Sequence, residues 1–341
     1  MATARKKRKK WKPGKEFWVL CFLAISYFVI LVIYNKLEQH ISNSQTASSQ
    51  TAVSETTNSV AFDTEQKDVL YVHMIDCGQG DCFLFEFNDK YALIDCGPKS
   101  SAENVLTYLK KENVDKLEFI VGTHQHEDHL GGAYSIISNY ECGTFYMPKI
   151  SKDLVTTDWY IQLMSKIKKD KIPVENPVVN EEFLLGNVVF RVVGQLNSKQ
   201  AKVDLNNYST VIKVSYGDMD ILMTGDAEGK VEKSMLSANI LSECEILKVG
   251  HHGAETSTSE KFLQTIDPDY ALISCETGNK YKHPREETME KLKKYDVKVF
   301  RTDEQGTVVV AVTENSATFN TEPGDYLDGT TVYANSQKGW V

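Results

Sequence analysis

The chain has 341 residues, of which 41% are hydrophobic and 25% charged, so its length and composition are those of an ordinary globular protein with one large domain or two small ones. The net charge is −9, but residues 1–16 carry +7, which leaves −16 on residues 17–341. This acidic balance repels nucleic-acid backbones at long range and so disfavours them as partners, although a local basic channel could still bind a polyanion.

The first 66 residues divide into three segments. Residues 1–17 are basic and residues 18–34 contain no charge, while residues 41–66 are rich in Ser, Thr and Gln. An uncharged run of about 17 residues reaches the lower limit for a membrane-spanning helix. The basic flank predicts a cytoplasmic N-terminus and a single-pass protein of the cell membrane, with the following domain extracellular. A cleaved signal peptide or a buried helix is the alternative, but no small-x-small cleavage site directly follows Tyr34. Residues 35–66 are expected to form a flexible stalk.

Strands and helices are predicted for most of residues 67–320. The first three strands, at 69–75, 82–87 and 91–95, are separated by short turn signals and are expected to be antiparallel. Other predicted strands lie at 117–123, 210–216, 220–226, 244–250, 270–275, 297–300 and 307–312. Helical patterns lie at 101–111 and near 129–138, 153–168, 258–266 and 285–294. The sum predicts an α+β domain of two packed sheets with helices outside, followed by an irregular tail at 321–341.

The densest chemical signal is the sequence THQHEDHLGG at residues 123–132. It places His124, His126, Asp128 and His129 within six residues, directly after an apolar strand. In an extended chain, alternate side chains share a side, so His124, His126 and Asp128 should converge while His129 turns away. Imidazole and carboxylate ligands at this spacing suit two divalent ions, zinc or else manganese or iron. One ion would be held by the first two histidines, and the other by Asp128 and His129.

This string, with the motifs around it, resembles the signature of the metallo-β-lactamase superfamily, and more narrowly the hydrolase domain of ComEC-like DNA-uptake proteins. The matching stretches follow the order of that family. They are HMIDCGQGD (73–81), LIDCG (93–97), NYS (207–209), TGD (224–226), KVGHHG (248–253), NKYKHP (279–284) and DEQG (303–306). The resemblance implies an αββα sandwich of two mixed sheets. It does not extend to the transmembrane channel of ComEC proteins, so the chain looks like a stand-alone relative.

The resemblance also implies roles for individual residues. Asp226 is expected to bridge the two ions. One of His251 and His252 is expected to complete the second ion, and the other to contact substrate or orient a ligand. His283 could bind a phosphoryl oxygen or protonate the leaving group, and Ser209 could contact substrate or merely begin a strand. The expected catalytic residues are Asp128, Asp226, His252 and His283. Three carboxylates are expected to hold loops rather than metal, and these are Asp76, Asp81 and Asp95.

The histidines narrow the reaction class. No histidine lies between His129 and Asp226, where β-lactamases, glyoxalase II and lactonases have a third metal-binding histidine. Hydrolysis of β-lactams or thioesters is therefore disfavoured. A hydroxide bridging two ions suits a phosphate ester, in nucleic acid or in a cell-envelope polymer. The alternatives are hydrolysis of a carboxylic ester, lactone or amide, and a non-catalytic DNA-uptake or envelope scaffold. The sequence identifies no protein partner.

Overall fold

A computed structural model of the protein describes residues 68–151, 153–201 and 204–338. The predicted basic segment, membrane helix and stalk lie outside these residues. Of the helices within the described ranges, none has the length and apolar content needed to cross a membrane. The described residues all belong to one compact unit.

Within the described residues, fifteen strands form two mixed sheets. The eight strands of the first sheet are β1 (Leu70–Met74), β2 (Phe83–Phe87), β3 (Lys90–Ile94), β4 (Lys116–Val121), β5 (Glu141–Tyr146), β6 (Val174–Glu175), β14 (Val308–Val312) and β15 (Ala317–Phe319). The seven strands of the second sheet are β7 (Glu182–Leu185), β8 (Val188–Gly194), β9 (Val211–Tyr216), β10 (Met219–Met223), β11 (Ile246–Lys248), β12 (Tyr270–Ile273) and β13 (Lys298–Arg301).

Each sheet has an antiparallel half and a parallel half. The order in the first sheet is β15-β14-β1-β2-β3-β4-β5-β6, with parallel pairing from β3 to β6. The order in the second is β13-β12-β11-β10-β9-β8-β7, with parallel pairing from β10 to β13. The predicted antiparallel start and the hairpin of β9 and β10 are both confirmed.

Ten helices are present in the described part of the chain. They are α1 (Ala102–Lys111), α2 (Glu127–Leu130), α3 (Ala133–Asn139), α4 (Asp158–Asp170), α5 (Ser198–Ala201), α6 (Gly229–Ala238), α7 (Glu260–Ile266), α8 (Glu286–Lys294), α9 (Thr302–Gln305) and α10 (Gly329–Lys338). Short 3₁₀ turns lie at Lys99–Ser101, Leu205–Tyr208 and Gly250–Gly253.

The layers follow from alternation along the strands. In β2, Phe83 and Phe85 enter the core between the sheets, while Leu84 joins the core on the outer face. The two sheets meet through aromatic contacts such as Phe85 with Phe190, whose ring centroids lie 5.2 Å apart. Helices α1, α3 and α4 cover the first sheet, and α6, α7 and α8 cover the second. The α+β sandwich of two packed sheets with outer helices is therefore confirmed.

The C-terminal tail differs from the prediction. Residues 321–341 were expected to be irregular, but they include α10. Asp328 caps this helix, because its carboxylate accepts hydrogen bonds from the backbone N–H groups of Thr330 and Thr331, at 2.9 and 3.2 Å. The segment before the helix is attached to β13 by a bond of 2.8 Å from Gly324 N to Val299 O.

Candidate metal centre

The predicted site residues lie where parallel strands end. The loop after β4 carries the three clustered histidines and Asp128, the loop after β10 carries Asp226, and the loop after β11 carries His251 and His252. The carboxyl ends of neighbouring parallel strands share one edge of a sheet, so these loops meet. Close backbone approach holds them together: a Cβ on Gly132 would lie 2.3 Å from the Cys96 carbonyl oxygen, and one on Gly80 would lie 2.3 Å from that of Asp128.

Two candidate ligand groups share Asp226. The first contains His124, His126 and Asp226, and the second contains Asp128, His129, Asp226 and His252. Oδ2 of Asp226 lies 3.9 Å from Nε2 of His124, while Oδ1 lies 3.2 Å from Nε2 of His129. The two carboxylate oxygens thus face different groups, as a bridging ligand requires.

The structure groups His124 with His126, and Asp128 with His129, as the sequence prediction did. The geometric argument behind that prediction was wrong, because it placed the Asp128 side chain beside the first two histidines. His126 is the N-cap of α2, so the chain is already helical at Asp128. The Asp128 side chain therefore turns away from the first two histidines and approaches His252, whose Nε2 lies 3.5 Å from Oδ2 of Asp128.

His251 and His252 differ in burial and in their contacts. His252 is buried, and its Nε2 lies 3.6 Å from Oδ1 of Asp226. His251 is partly exposed and belongs to neither ligand group, although its Nε2 lies 3.8 Å from Oδ2 of Asp226; its Nδ1 lies 3.4 Å from Oε1 of Glu228. Both histidines have left-handed backbone conformations, with φ of 49° and 55°. Such conformations cost free energy and concentrate at functional sites.

Hydrogen bonds fix which nitrogen of each buried histidine faces the site. His129 Nδ1 lies 2.7 Å from Oδ2 of Asp95, and His252 Nδ1 lies 2.8 Å from the Ser274 carbonyl oxygen. Donation by Nδ1 to these acceptors leaves each Nε2 lone pair directed at Asp226. This is the arrangement that metal-binding histidines ordinarily have.

The residues fit a bound divalent cation. Nε2 of His129, Nε2 of His252 and Oδ1 of Asp226 are buried beside one another, and none has a hydrogen-bond partner among the described residues. Burying unpaired polar atoms is costly, whereas a metal ion would satisfy all three at once.

The charges of the site shift the pKa values of its histidines. Burial lowers the pKa of His252, but the negative charges of Asp226 and Asp81 outweigh burial and raise the pKa to about 10, so a metal ion would have to displace a proton from Nε2 to bind there. Burial, together with the neighbouring His252 and His251, lowers the pKa of His283 to about 3. A neutral His283 suits hydrogen bonding to a substrate oxygen better than it suits the predicted donation of a proton.

His283 lines the cavity beside the candidate metal ligands, whereas Ser209 does not. His283 lines an open cavity of about 600 Å³ beside His126, Asp128 and Asp226. Ser209, which was predicted as a substrate contact, is fully buried and does not line that cavity. Its Oγ accepts a hydrogen bond of 3.1 Å from the Asp226 backbone N–H and lies 3.4 Å from Nδ1 of His124. Ser209 therefore supports two ligands rather than a substrate.

The three loop carboxylates lie around the ligands. Asp95 accepts hydrogen bonds from the Thr123 backbone N–H and hydroxyl, at 2.8 and 2.7 Å, as its predicted loop-holding role requires. It also orients His129, which was not predicted. Asp81 pairs with the buried Lys248, and Asp76 is exposed and accepts a bond of 3.1 Å from Gly78 N. Asp81 and Asp95 also lie close enough to His129 to form a third candidate metal group.

Lys248 is a site residue that sequence reasoning missed. Its side chain is completely buried, and its Nζ lies 2.8 Å from Oδ2 of Asp81. The available signal was a charged residue at the end of an apolar strand, at the first position of the KVGHHG stretch. His73 lies outside the site, on β1, where its Nδ1 is 2.9 Å from the Tyr108 hydroxyl.

Comparisons with known proteins agree with this geometry. The chain is 27% identical to ComE operon protein 3 of Bacillus subtilis over 74% of its length, and 32% identical to Recombination protein 2 of Haemophilus influenzae over 73%. It is 28% identical to competence protein ComA of Neisseria gonorrhoeae over 68% of its length. The matches cover 34%, 30% and 31% of those proteins, so the chain spans about a third of the length of the curated relatives it matches.

These relatives are ComEC-like competence proteins, which confirms the resemblance that the motifs indicated. Residues 75–277 match the family model described as the metallo-beta-lactamase superfamily, whose members are generally metal-dependent hydrolases. The matched range contains every candidate metal ligand and ends before His283. The chain belongs to the metallo-beta-lactamase superfamily.

Proposed function

We propose that the protein is a membrane-anchored phosphodiesterase of the ComEC type that uses two divalent metal ions, zinc or manganese. The observation that carries the proposal is the position of Asp226, whose two oxygens face two separate ligand groups. A shared carboxylate between two groups is the arrangement of a two-metal site. Such a site suits displacement at phosphorus, because both the attacking and the leaving oxygen need stabilisation.

Two bound ions would lower the pKa of water to supply a nucleophile and would stabilise negative charge on the phosphoryl group. In the hydrolysis, a water oxygen bonds to phosphorus, the ester P–O bond breaks, and the leaving oxygen takes up the proton that water loses. The chain positions the reactants. Asp95 and the Ser274 carbonyl orient His129 and His252, and a neutral His283 on the cavity wall donates a hydrogen bond to the phosphoryl oxygen.

Two other functions remain as alternatives. The lack of a third histidine between His129 and Asp226 favours a phosphodiester over a carboxylic ester, lactone or amide. A scaffold without turnover would not need ligand atoms that are buried without hydrogen-bond partners.

Membrane anchoring through residues 18–34, with the enzyme outside the cell, rests on the sequence pattern. Protease added to intact cells should remove the domain, and complete protection would contradict this orientation.

The activity is tested with the full-length chain, reconstituted with zinc or manganese. Bis(p-nitrophenyl) phosphate and DNA are assayed beside a carboxylic ester and a β-lactam. We expect metal-dependent cleavage of the phosphodiesters, lost in Asp226→Ala and kept in Asp218→Ala, which removes an exposed carboxylate from the turn between β9 and β10. Cleavage of the ester or β-lactam in preference to the phosphodiesters would contradict the proposal, as would no turnover of any substrate.

A further inference from the structure

The loop between β12 and α8 supplies one wall of the cavity and carries the NKYKHP stretch at residues 279–284, just beyond the matched family range, which ends at residue 277. Lys280, Tyr281 and His283 of this loop all line the cavity. The Tyr281 side chain is 49% exposed, although an aromatic ring of this size would be more stable if buried. A single exposed tyrosine is ordinary on a protein surface, so its neighbours decide whether this one has a function.

The neighbours of Tyr281 form a stacking surface. Its ring lies nearly parallel to that of His283, with centroids 5.6 Å apart and planes inclined by 23°. The Nζ atom of Lys280 lies 4.8 Å from the centroid of the Tyr281 ring. An aromatic ring with a flexible cation over one face thus stands next to the candidate metal ligands, and the Lys280 side chain must leave that face for a base to stack on it.

The loop is held in place before any substrate binds. The Asn279 side-chain amide donates a hydrogen bond of 2.7 Å to the His283 carbonyl, and its oxygen accepts one of 3.0 Å from the His283 N–H. These two bonds join the ends of the segment that carries Tyr281. A preorganised surface loses little conformational entropy when a ligand stacks on it.

Charge and shape restrict what this surface can bind. An aromatic face alone would accept a quaternary ammonium group, but the charge of Lys280 repels a cation. An alkyl phosphodiester, such as a glycerol phosphate polymer, offers no flat ring to stack. A nucleotide offers both a planar base and an adjacent phosphate for Lys280, and stacking of one base on an aromatic side chain strengthens binding by roughly 5- to 150-fold.

We propose that Tyr281 is a specificity-determining residue that stacks on the base next to the scissile phosphodiester, while Lys280 contacts a neighbouring phosphate. The substrate is then a nucleic acid strand whose bases are unpaired. The proposal rests on the phosphodiesterase function and names the substrate class of that site. It also reconciles an acidic domain with a polyanionic substrate, because recognition needs only one local platform and no extended basic surface.

The test compares two substrates with the full-length, metal-loaded chain. One is a twelve-residue oligothymidylate, and the other is an abasic oligomer with the same number of phosphodiesters but tetrahydrofuran in place of each nucleoside. We expect Tyr281→Leu to lower kcat/KM for the oligothymidylate by roughly 5- to 150-fold relative to the abasic oligomer, mainly through KM. Tyr281→Phe should keep the preference, since its ring still stacks.

A matched control is Tyr134→Leu, which removes an equally exposed tyrosine that does not line the cavity and should change neither substrate. Equal loss on both substrates in Tyr281→Leu, or a wild-type enzyme without preference between them, would overturn the stacking role and leave the phosphodiesterase intact. Faster cleavage of the abasic oligomer would point to a base-free envelope polymer. If the enzyme cleaves neither oligomer and also fails to cleave bis(p-nitrophenyl) phosphate, the phosphodiesterase function itself is refuted.

Discussion

Lys248 and Asp81 form a buried ion pair directly behind the candidate metal ligands. The Nζ atom lies 2.8 Å from Oδ2 of Asp81, and the two side chains are 0% and 2% exposed. Oδ1 of the same carboxylate lies 3.4 Å from Nδ1 of His252. The pair therefore keeps a carboxylate ionised beside a ligand histidine, at a depth where an unpaired charge would be costly.

Removing one partner of this pair should destabilise the protein. Lys248→Met leaves Asp81 buried without its counter-charge, and we expect chemical denaturation to show a loss of about 3–5 kcal/mol in the free energy of unfolding. The double variant with Asp81→Leu should lose less, because no buried charge then remains. Lys116→Met, which breaks the exposed pair with Glu118, is the control and should have no resolvable effect. Equal stability of the single variant and wild type would contradict this role.

Ser209 should affect metal binding rather than substrate binding. Ser209→Ala leaves the buried Asp226 N–H without its acceptor, which should cost about 1–3 kcal/mol of unfolding free energy and weaken metal affinity. Because Ser209 does not line the cavity, KM for a phosphodiester should stay the same in the metal-saturated variant. The exposed Ser237→Ala serves as control. A raised KM with unchanged stability would restore the substrate contact that the sequence suggested.

The C-terminal helix should be required for the position of His283. A Cβ at Gly329 would lie 2.1 Å from the His283 carbonyl oxygen, so Gly329→Ala must displace either the helix or the loop. We expect a loss of about 1–3 kcal/mol in stability and a higher KM for a phosphodiester. In Gly229→Ala the added Cβ meets no atom closer than 3.6 Å, and this variant should be as active as wild type. Unchanged KM and melting temperature in Gly329→Ala would argue against the contact.

Glu232 should make stability depend on pH. Burial raises the pKa of its carboxyl above the ordinary 4.5, and this effect outweighs the hydrogen bonds from the backbone N–H groups of Thr258 and Ser259. The native state therefore holds the proton more tightly than the unfolded state does. The stabilisation is complete below pH 4.5 and is lost as pH rises through the raised folded pKa.

The check is to measure the free energy of unfolding of wild type and Glu232→Gln by denaturation at a series of pH values. Gln loses one hydrogen-bond acceptor, which changes stability by a constant amount, but it cannot titrate. We expect the stability of wild type relative to the variant to fall as pH rises above 4.5. A pH-independent difference, or one that rises with pH, would show that the carboxyl pKa is not raised.

Local patterns predicted most of the fold and the ligand set. Short apolar runs with β-branched and aromatic residues identified β1 to β4, and the HxHxDH spacing identified ligands that tertiary structure then brought together. Five strands, β5 to β8 and β15, escaped prediction. One of them, β7, contains only four residues, with Glu182 and Leu184 facing solvent, so its apolar signal is short and weak. The turn between β7 and β8 was signalled by Gly186, whose φ is +61°, a conformation that favours glycine.

Other features depend on tertiary contacts that cannot be predicted from local sequence patterns. The choice between His251 and His252 is set by the hydrogen bond from His252 Nδ1 to the Ser274 carbonyl, across 22 residues. The same holds for Lys248 and Asp81, which are far apart in sequence and meet only when the two sheets pack. Helix α10 had a readable signal in its capping residue Asp328, but the surrounding composition obscured it.

The most direct measurement of the central claim is metal stoichiometry, by equilibrium dialysis of the full-length chain and its variants against zinc or manganese. Because Asp226 belongs to both ligand groups and His126 and His252 to one each, we expect about two ions in wild type. His126→Ala and His252→Ala should each lose one ion, and Asp226→Ala should lose both. A single ion in wild type, no bound metal, or full occupancy in Asp226→Ala would contradict a two-metal site bridged by this carboxylate.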